Sequence, residues 1–207
     1  MWRYLLAFLF LATYVPEVAS GPPASDKLGR GIQLHQAKKY QEAEAVLREA
    51  VNEQPNDPKA HEALGLTLVE LGRSQDALQE FQKALESGSA TDKLQVGIAR
   101  ARINLKDSEK ARAALNSARE LNPQNADVYY YSGMLEAERR DYGAAAREFE
   151  KALELNPSHA YAHYHAGIVY NGLKKPDKMV QHFQAFLKLA PTAPEAKKVQ
   201  SLLQSVR

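Results

Sequence analysis

The sequence predicts an all-α solenoid, a stack of helix–turn–helix repeats with a C-terminal capping helix. Three observations support this prediction. The chain of 207 residues repeats itself with a period of 34 residues over five units, without insertion or deletion. Small residues recur within each unit where two helices would have to cross. A proline stands near the end of most units, where it would stop a helix.

Each unit predicts two helices of roughly 14 residues. The units span residues 24–57, 58–91, 92–125, 126–159 and 160–193. The eighth position is always small and holds Gly31, Gly65, Ala99, Gly133 and Gly167. Four of the five units have alanine at both the twentieth and the twenty-seventh positions. We therefore expect the small eighth residue to face alanine in the second helix, with the larger twenty-fourth residue filling the space beside the crossing.

Residues 194–207 follow the last unit and predict the capping helix. One stripe of this helix is apolar and holds Ala196, Val199, Leu202, Leu203 and Val206. The last unit also carries Met179 and Phe186 where the others have alanine. These larger residues suit packing against a cap rather than against another repeat.

The recurring glycine, alanine and proline positions resemble the tetratricopeptide repeat. The resemblance covers about 170 of the 207 residues. It implies a right-handed α-solenoid in which the first helices of the units line a concave face. It also implies that this face binds a protein or peptide partner.

The resemblance places the candidate site at the second, fifth, ninth, twelfth and thirteenth positions of each first helix. The residues that we expect to contact a partner are Leu66, Val69, Lys93, Val96, Arg100, Asn104, Asp127, Tyr130, Met134, Tyr161, Tyr164, Ile168 and Asn171. This apolar strip bears tyrosines and scattered charges, which suits an extended or proline-rich peptide or a partner helix. The alternative is that some of these side chains only pack between neighbouring repeats.

One specialisation within the resembled family is absent. Members that bind the acidic C-terminal tails of chaperones carry lysine and asparagine at the fifth and ninth positions of the first unit. Here those positions hold Leu28 and Ile32. The resemblance therefore does not extend to this set of polar residues, which is called the carboxylate clamp.

Three histidines lie close together in the sequence, at His159, His163 and His165. His159 and His163 are four residues apart, a spacing that is common in zinc sites on helices. His165 is rotated by about 200° from His163 around a helix, so the three do not share one face. His163 holds the fourth position of its unit, which His61 and Tyr129 hold elsewhere. We therefore predict a packing role for His163, structural or surface roles for the other two histidines, and no metal site.

The N-terminus is typical of a secretory signal peptide. Arg3 precedes an apolar run of about a dozen residues, and small residues follow at 18–20. We expect residues 1–20 to be cleaved, residues 21–23 to form a short leader, and the chain to be periplasmic or secreted. The run is shorter than the roughly 20 residues that cross a bilayer. This length favours a cleaved signal over an uncleaved membrane anchor, which is the alternative. After cleavage no membrane span would remain.

Composition and charge exclude several classes of function. The 27 basic and 25 acidic residues are mixed along the chain, which argues against nucleic acid as a partner. The absence of cysteine excludes disulfides, thiolate catalysis and covalent haem attachment. No nucleophile elbow, phosphate-binding glycine loop or paired histidine–glutamate metal motif occurs. We therefore predict no enzymatic activity and no cofactor.

Together these patterns predict an exported scaffold or adaptor that binds a protein or peptide in its concave groove. The alternative is a fixed structural or assembly subunit of a larger envelope complex. In that case the convex face or the repeat edges would form the interface.

Overall fold

The computed structural model describes residues 24–205, which form eleven α-helices and no strand. The first helices of the five pairs are α1 (Ala24–Gln36), α3 (Pro58–Glu70), α5 (Asp92–Asn104), α7 (Ala126–Glu138) and α9 (Ala160–Gly172). The second helices are α2 (Tyr40–Glu53), α4 (Ser74–Glu86), α6 (Ser108–Leu121), α8 (Tyr142–Leu155) and α10 (Pro176–Leu189). A last helix, α11 (Ala196–Ser205), follows. The predicted all-α class is confirmed, whereas the signal peptide and leader lie outside the described residues.

The helix pairs stack in chain order. Each first helix packs against its own second helix, and each second helix packs against the first helix of the next pair. The backbones of the first helices also lie close to one another from pair to pair. Within residues 24–205, successive second helices are further apart and meet through long side chains, as in the 2.9 Å ion pair of Arg119 with Glu148. The stack therefore curves with α1, α3, α5, α7 and α9 on its concave side. No helix of this stack is both long and apolar enough to cross a membrane.

Close approach between the two helices of a pair explains the small eighth residue. A Cβ added at Gly133 would lie 2.8 Å from the ring of Phe149, and one at Gly65 would lie 2.5 Å from the ring of Phe81. The side chain nearest to the eighth-position residue is therefore that of the large twenty-fourth residue, not that of the alanine expected from the sequence pattern. The reason is that the large side chain points across the crossing rather than beside it.

A single turn geometry joins the two helices of every pair. Its fifteenth-position residue has positive φ in all five units, at Lys38 (59°), Gly72 (75°), Lys106 (61°), Arg140 (62°) and Lys174 (55°). The following residue donates its backbone N–H five residues back, as Arg73 does to the carbonyl of Leu68 at 2.8 Å. This bond satisfies a carbonyl at the end of the first helix. Only one unit uses glycine, although the left-handed conformation costs other residues about 1–2 kcal/mol.

The cap covers less than its sequence stripe suggested. Ala196 and Val199 are buried, and Val199 joins the same apolar cluster as Met179 and Phe186. Leu202 is 37% exposed, which corrects the expectation that it packs inward. The physical reason is that α11 packs on α10 alone, so a single neighbour covers only part of the stripe.

Candidate binding groove

The concave face presents ten of the thirteen predicted contact residues at least partly to solvent. Six are exposed, namely Lys93, Asn104, Asp127, Tyr161, Ile168 and Asn171. Four are half-buried, namely Leu66, Arg100, Met134 and Tyr164. The remaining three, Val69, Val96 and Tyr130, are buried.

The three buried residues serve packing between repeats. Val69 belongs to the apolar cluster of the N-terminal repeats. The ring of Tyr130 lies 4.4 Å from the ring of His159 and 5.8 Å from that of His165, both in the next repeat's helix or its N-cap. Burial raises the pKa of Tyr130, so its hydroxyl stays neutral. These side chains stabilise the stack and offer little surface to a partner.

A stripe of ninth-position residues runs along the groove and has an ion pair at its centre. Its ends are apolar and open, since Ile32 is 37% exposed and Ile168 is 43% exposed. At the centre, the guanidinium of Arg100 donates a hydrogen bond of 2.5 Å to Glu70. The same guanidinium lies 5.6 Å from the ring centroid of Tyr131. The ion pair divides the stripe into an N-terminal and a C-terminal apolar segment.

The N-terminal segment forms the floor of a cavity of about 580 Å³ between α1, α3 and α5. Ile32, Ala63 and Leu66 supply its apolar surface, and Lys59 and Lys93 flank it. A second cavity of about 360 Å³ shares part of this lining, including Leu66 and Lys93, and extends to Arg100. The N-terminal half of the groove is therefore an open, largely apolar depression whose sides carry lysines and carboxylates.

Two carboxylates of the cavity wall are engaged in hydrogen bonds. Glu62 accepts a hydrogen bond of 3.0 Å from the hydroxyl of Thr91. Asp92 accepts bonds of 2.9 and 2.8 Å from the amides of Asn122 and Asn125. Burial by itself would raise the pKa of Asp92, but these hydrogen bonds outweigh burial and lower it. Asp92 therefore joins its unit to the next one, and Glu62 joins α3 to Thr91, the residue that caps α5.

The imidazole of His35 stands at the opposite wall of the cavity. Thr67 donates its hydroxyl to the carbonyl of Ala63 at 2.8 Å, so it accepts the 3.0 Å bond from Nδ1 of His35. Burial lowers the pKa of His35, which favours the neutral ring. His35 thus adds an uncharged wall rather than a third cation.

Aromatic side chains lie beside the C-terminal apolar segment. Tyr161 is 38% exposed, and its hydroxyl donates a bond of 3.3 Å to Glu195. The ring of Tyr164 packs against Phe186, with centroids 5.1 Å apart. Because α11 covers α10 and not α9, the outer face of α9 stays open around Ile168.

The three clustered histidines have separate structural contacts. His159 accepts the backbone N–H of Ala162 and so caps α9. His163 lies with Nδ1 3.0 Å from Nδ1 of His182. His165 stacks on Phe149 and forms part of the wall of a 300 Å³ cavity beside Met134. Within residues 24–205 no group of three histidine, aspartate or glutamate side chains is placed to hold a metal ion.

Some residues of the cavity lie outside the predicted groove positions. Ile32 and Lys59 are not among them, since they occupy the ninth and second positions of their units. Ala63, Thr91 and Asp92 line the cavity from other positions. Their contribution depends on how neighbouring helices tilt, which the repeat pattern alone does not specify.

Family comparison covers most of the solenoid. A family model described as the cytochrome c-type biogenesis protein H TPR domain matches residues 30–162. A general tetratricopeptide-repeat model matches residues 133–194. No curated protein matches the chain.

Solved structures share the fold at low sequence identity. TTC0263, a thermophilic TPR protein of Thermus thermophilus, is 21% identical, with a TM-score of 0.76 and coverage of 87% of this chain and 99% of that chain. Pseudomonas aeruginosa pilF is 20% identical, with a TM-score of 0.74 and coverage of 88% and 83%. YrrB, described as a TPR protein with an unusual peptide-binding site, is 22% identical, with a TM-score of 0.59 and coverage of 86% and 92%. At these identities the likeness establishes the fold alone.

Proposed function

Because this chain belongs to the cytochrome c-type biogenesis protein H TPR domain family, we propose that it is a non-catalytic scaffold whose concave groove binds a segment of another protein. The segment lies across the first helices and places apolar side chains on the two apolar segments of the groove. Such grooves accept either an extended peptide or the apolar face of a helix.

The exposed ends of the ninth-position stripe carry this proposal. Ile32 and Ile168 are both more than a third exposed, at opposite ends of one concave surface. Each belongs to one of the two apolar segments, and exposed apolar surface with a polar rim is characteristic of interaction sites. Between the two ends, the Arg100–Glu70 pair supplies a fixed polar feature that a partner must match.

The family also suggests where to look for the partner. Its description refers to cytochrome c-type biogenesis, so proteins of that process are the first candidates. The chain has no cysteine, so its part in such a process would be to hold a protein rather than to exchange disulfides or attach haem. The peptide-binding site named for YrrB makes an extended peptide a reasonable form of ligand.

Affinity capture from the native host tests the binding function. The purified chain, a groove variant with Ile32→Asp and Ile168→Asp, and a control variant with Arg147→Ala are immobilised, and quantitative mass spectrometry compares what each retains. Arg147 is exposed on α8, a second helix, and is not a predicted groove position. We expect the same protein on the native chain and on the control, and its loss from the groove variant. Equal retention by a groove variant that melts like the native chain would refute the proposed groove.

Export is a separate part of the proposal and depends on the sequence of residues 1–20. Intact-mass analysis of the protein from its native host should give a chain that starts near Gly21. Full-length protein recovered from the cytosol would contradict export without affecting the binding function.

A further inference from the structure

The two lysines beside the N-terminal cavity form no ion pair with any described residue. Lys59 and Lys93 hold the second position of consecutive units, both are exposed or partly exposed, and both line the 580 Å³ cavity. Among the described residues, neither has a carboxylate within the 4.0 Å of a salt bridge, whereas Arg100 beside them is paired with Glu70. Two ammonium groups therefore flank an apolar floor without a partner in the described part of the chain.

The two acids of the cavity wall do not neutralise the lysines through ion pairs. Glu62 and Asp92 accept hydrogen bonds from side chains of their own or the next repeat, and among the described residues neither forms an ion pair with Lys59 or Lys93. Lysine ammonium groups are donors only and bind carboxylates through charge-assisted hydrogen bonds. Among the described residues, the ammonium groups of Lys59 and Lys93 are thus donors without a side-chain acceptor at the cavity mouth.

The other end of the groove has the opposite character. The five groove positions of the fourth and fifth units contain Asp127 and Glu138 and neither lysine nor arginine. An acidic segment would be repelled there and attracted to the N-terminal half. The distribution of charge therefore selects both the chemistry of a ligand and its place in the groove.

We propose that the N-terminal cavity recognises an acidic segment of the partner protein, with an apolar side chain on the floor of Ile32, Ala63 and Leu66 and adjacent carboxylates on Lys59 and Lys93. This inference depends on the proposed binding function and adds the chemistry of the ligand. It differs from the carboxylate clamp, because Leu28 and Ile32 replace the polar residues that the clamp requires in the first unit.

Selection from a phage-displayed library of random peptides tests this inference. Peptides of about a dozen residues reach up to about 40 Å when extended, enough to cross several first helices. Selected peptides are synthesised with a fluorescent label, and anisotropy gives their affinity for the chain. The variants are Lys59→Glu with Lys93→Glu, and a control with Lys188→Glu, which is exposed on α10.

We expect selected peptides to carry aspartate or glutamate within two residues of a large apolar side chain. The double lysine variant should weaken them more than about tenfold, since like charges then face each other. The control should bind as the native chain does, and added salt should weaken binding.

Two other outcomes distinguish failure of this inference from failure of the proposed binding function. Neutral or basic peptides that lose affinity with Ile32→Asp, yet keep it in the lysine variant, would overturn the inference and leave the binding function standing. Selection that yields no peptide sensitive to any groove substitution would overturn both. Thermal melting of each variant confirms that it is folded before its affinity is compared.

Discussion

The Nε2 atom of His61 lies 2.8 Å from the carbonyl oxygen of Pro55, six residues earlier, and donates a hydrogen bond to it. The same bond recurs from the hydroxyl of Tyr129 to Pro123 at 2.9 Å, and from Nε2 of His163 to Pro157 at 3.1 Å. A polar fourth residue thus ties the start of a first helix to the proline that follows the preceding second helix. This explains why histidine and tyrosine both occur at that position.

Tyr129→Phe removes this hydrogen bond and keeps the ring. The guanidinium of Arg119, 4.8 Å from the ring centroid, retains its cation–π contact. We expect a loss of about 0.5–1.5 kcal/mol in the free energy of unfolding by urea. Tyr129→His restores a donor of the kind found in the second and fifth units and should recover part of the loss. A phenylalanine variant as stable as the native chain would show that the bond contributes nothing.

Gly133→Leu should destabilise the fourth repeat through overpacking. Even a Cβ at this position would lie 2.8 Å from the ring of Phe149, which is fully buried. Overpacking of this kind costs about 1–3 kcal/mol, and Gly133→Ala should already show part of it. The measurement is the melting temperature.

Gly29→Ala is the matched control, because a Cβ there meets no atom within 4 Å. Gly29 lies within α1, so alanine should stabilise the chain by about 0.4–1 kcal/mol. If both alanine variants melted at the same temperature, the close crossing at Gly133 would not limit stability.

The turn between paired helices predicts opposite effects at equivalent positions. Lys174 has φ of 55°, a conformation that glycine adopts without strain, so Lys174→Gly should raise the free energy of unfolding by up to about 1 kcal/mol. Gly72 has φ of 75°, and Gly72→Ala should lower it by about 1 kcal/mol. Urea unfolding measures both. A stabilising Gly72→Ala would mean that the turn adopts another conformation in solution.

Acid should weaken the C-terminal repeats through His165. Burial lowers its pKa from 6.5 to about 4; nearby Glu195 opposes this shift and His159 adds to it. Between these values the unfolded chain binds the proton more readily, so the stabilising contribution is complete above about pH 6.5 and falls towards pH 4. The slope is about 1.4 kcal/mol per pH unit for one such group. His182, whose pKa is also lowered to about 4, adds a similar dependence.

His165→Phe isolates that contribution, because phenylalanine can keep the stacking on Phe149 and cannot be protonated. Urea unfolding at several pH values between 4.5 and 7 should give a shallower decline for the variant than for the native chain. Parallel curves would show that His165 is not protonated differently in the folded and unfolded chains.

The repeat pattern predicts the fold correctly, but it predicts less well which groove residues are exposed. The helices follow the 34-residue period because small and large residues at fixed positions dictate each crossing. Exposure depends on what covers a position from outside its own unit. Tyr130 and Tyr164 hold the same fifth position, yet only Tyr130 is buried, because His159 and His165 at the next first helix cover it.

Neither the positive φ of the turn residues nor the fourth-position hydrogen bonds could be predicted from the repeat pattern, for different reasons. Lysine or arginine at the fifteenth position gives no local sign of a positive φ, because backbone bonds impose that conformation. The hydrogen bond to proline is visible in the sequence pattern, since a side-chain donor recurs six residues after proline in three units. Its meaning depends on the angle between successive repeats, which only the structure supplies.

The affinity of Tyr161→Ala for the captured partner tests the concave-groove account most directly. Tyr161 is an exposed aromatic residue at the open face of α9, and such anchors commonly contribute about 2 kcal/mol or more, so titration calorimetry should show a roughly thirtyfold loss of affinity. Arg147→Ala, on the second helix of the preceding pair, should leave the affinity unchanged. The account would be contradicted if Tyr161→Ala melted like the native chain and bound the partner with full affinity.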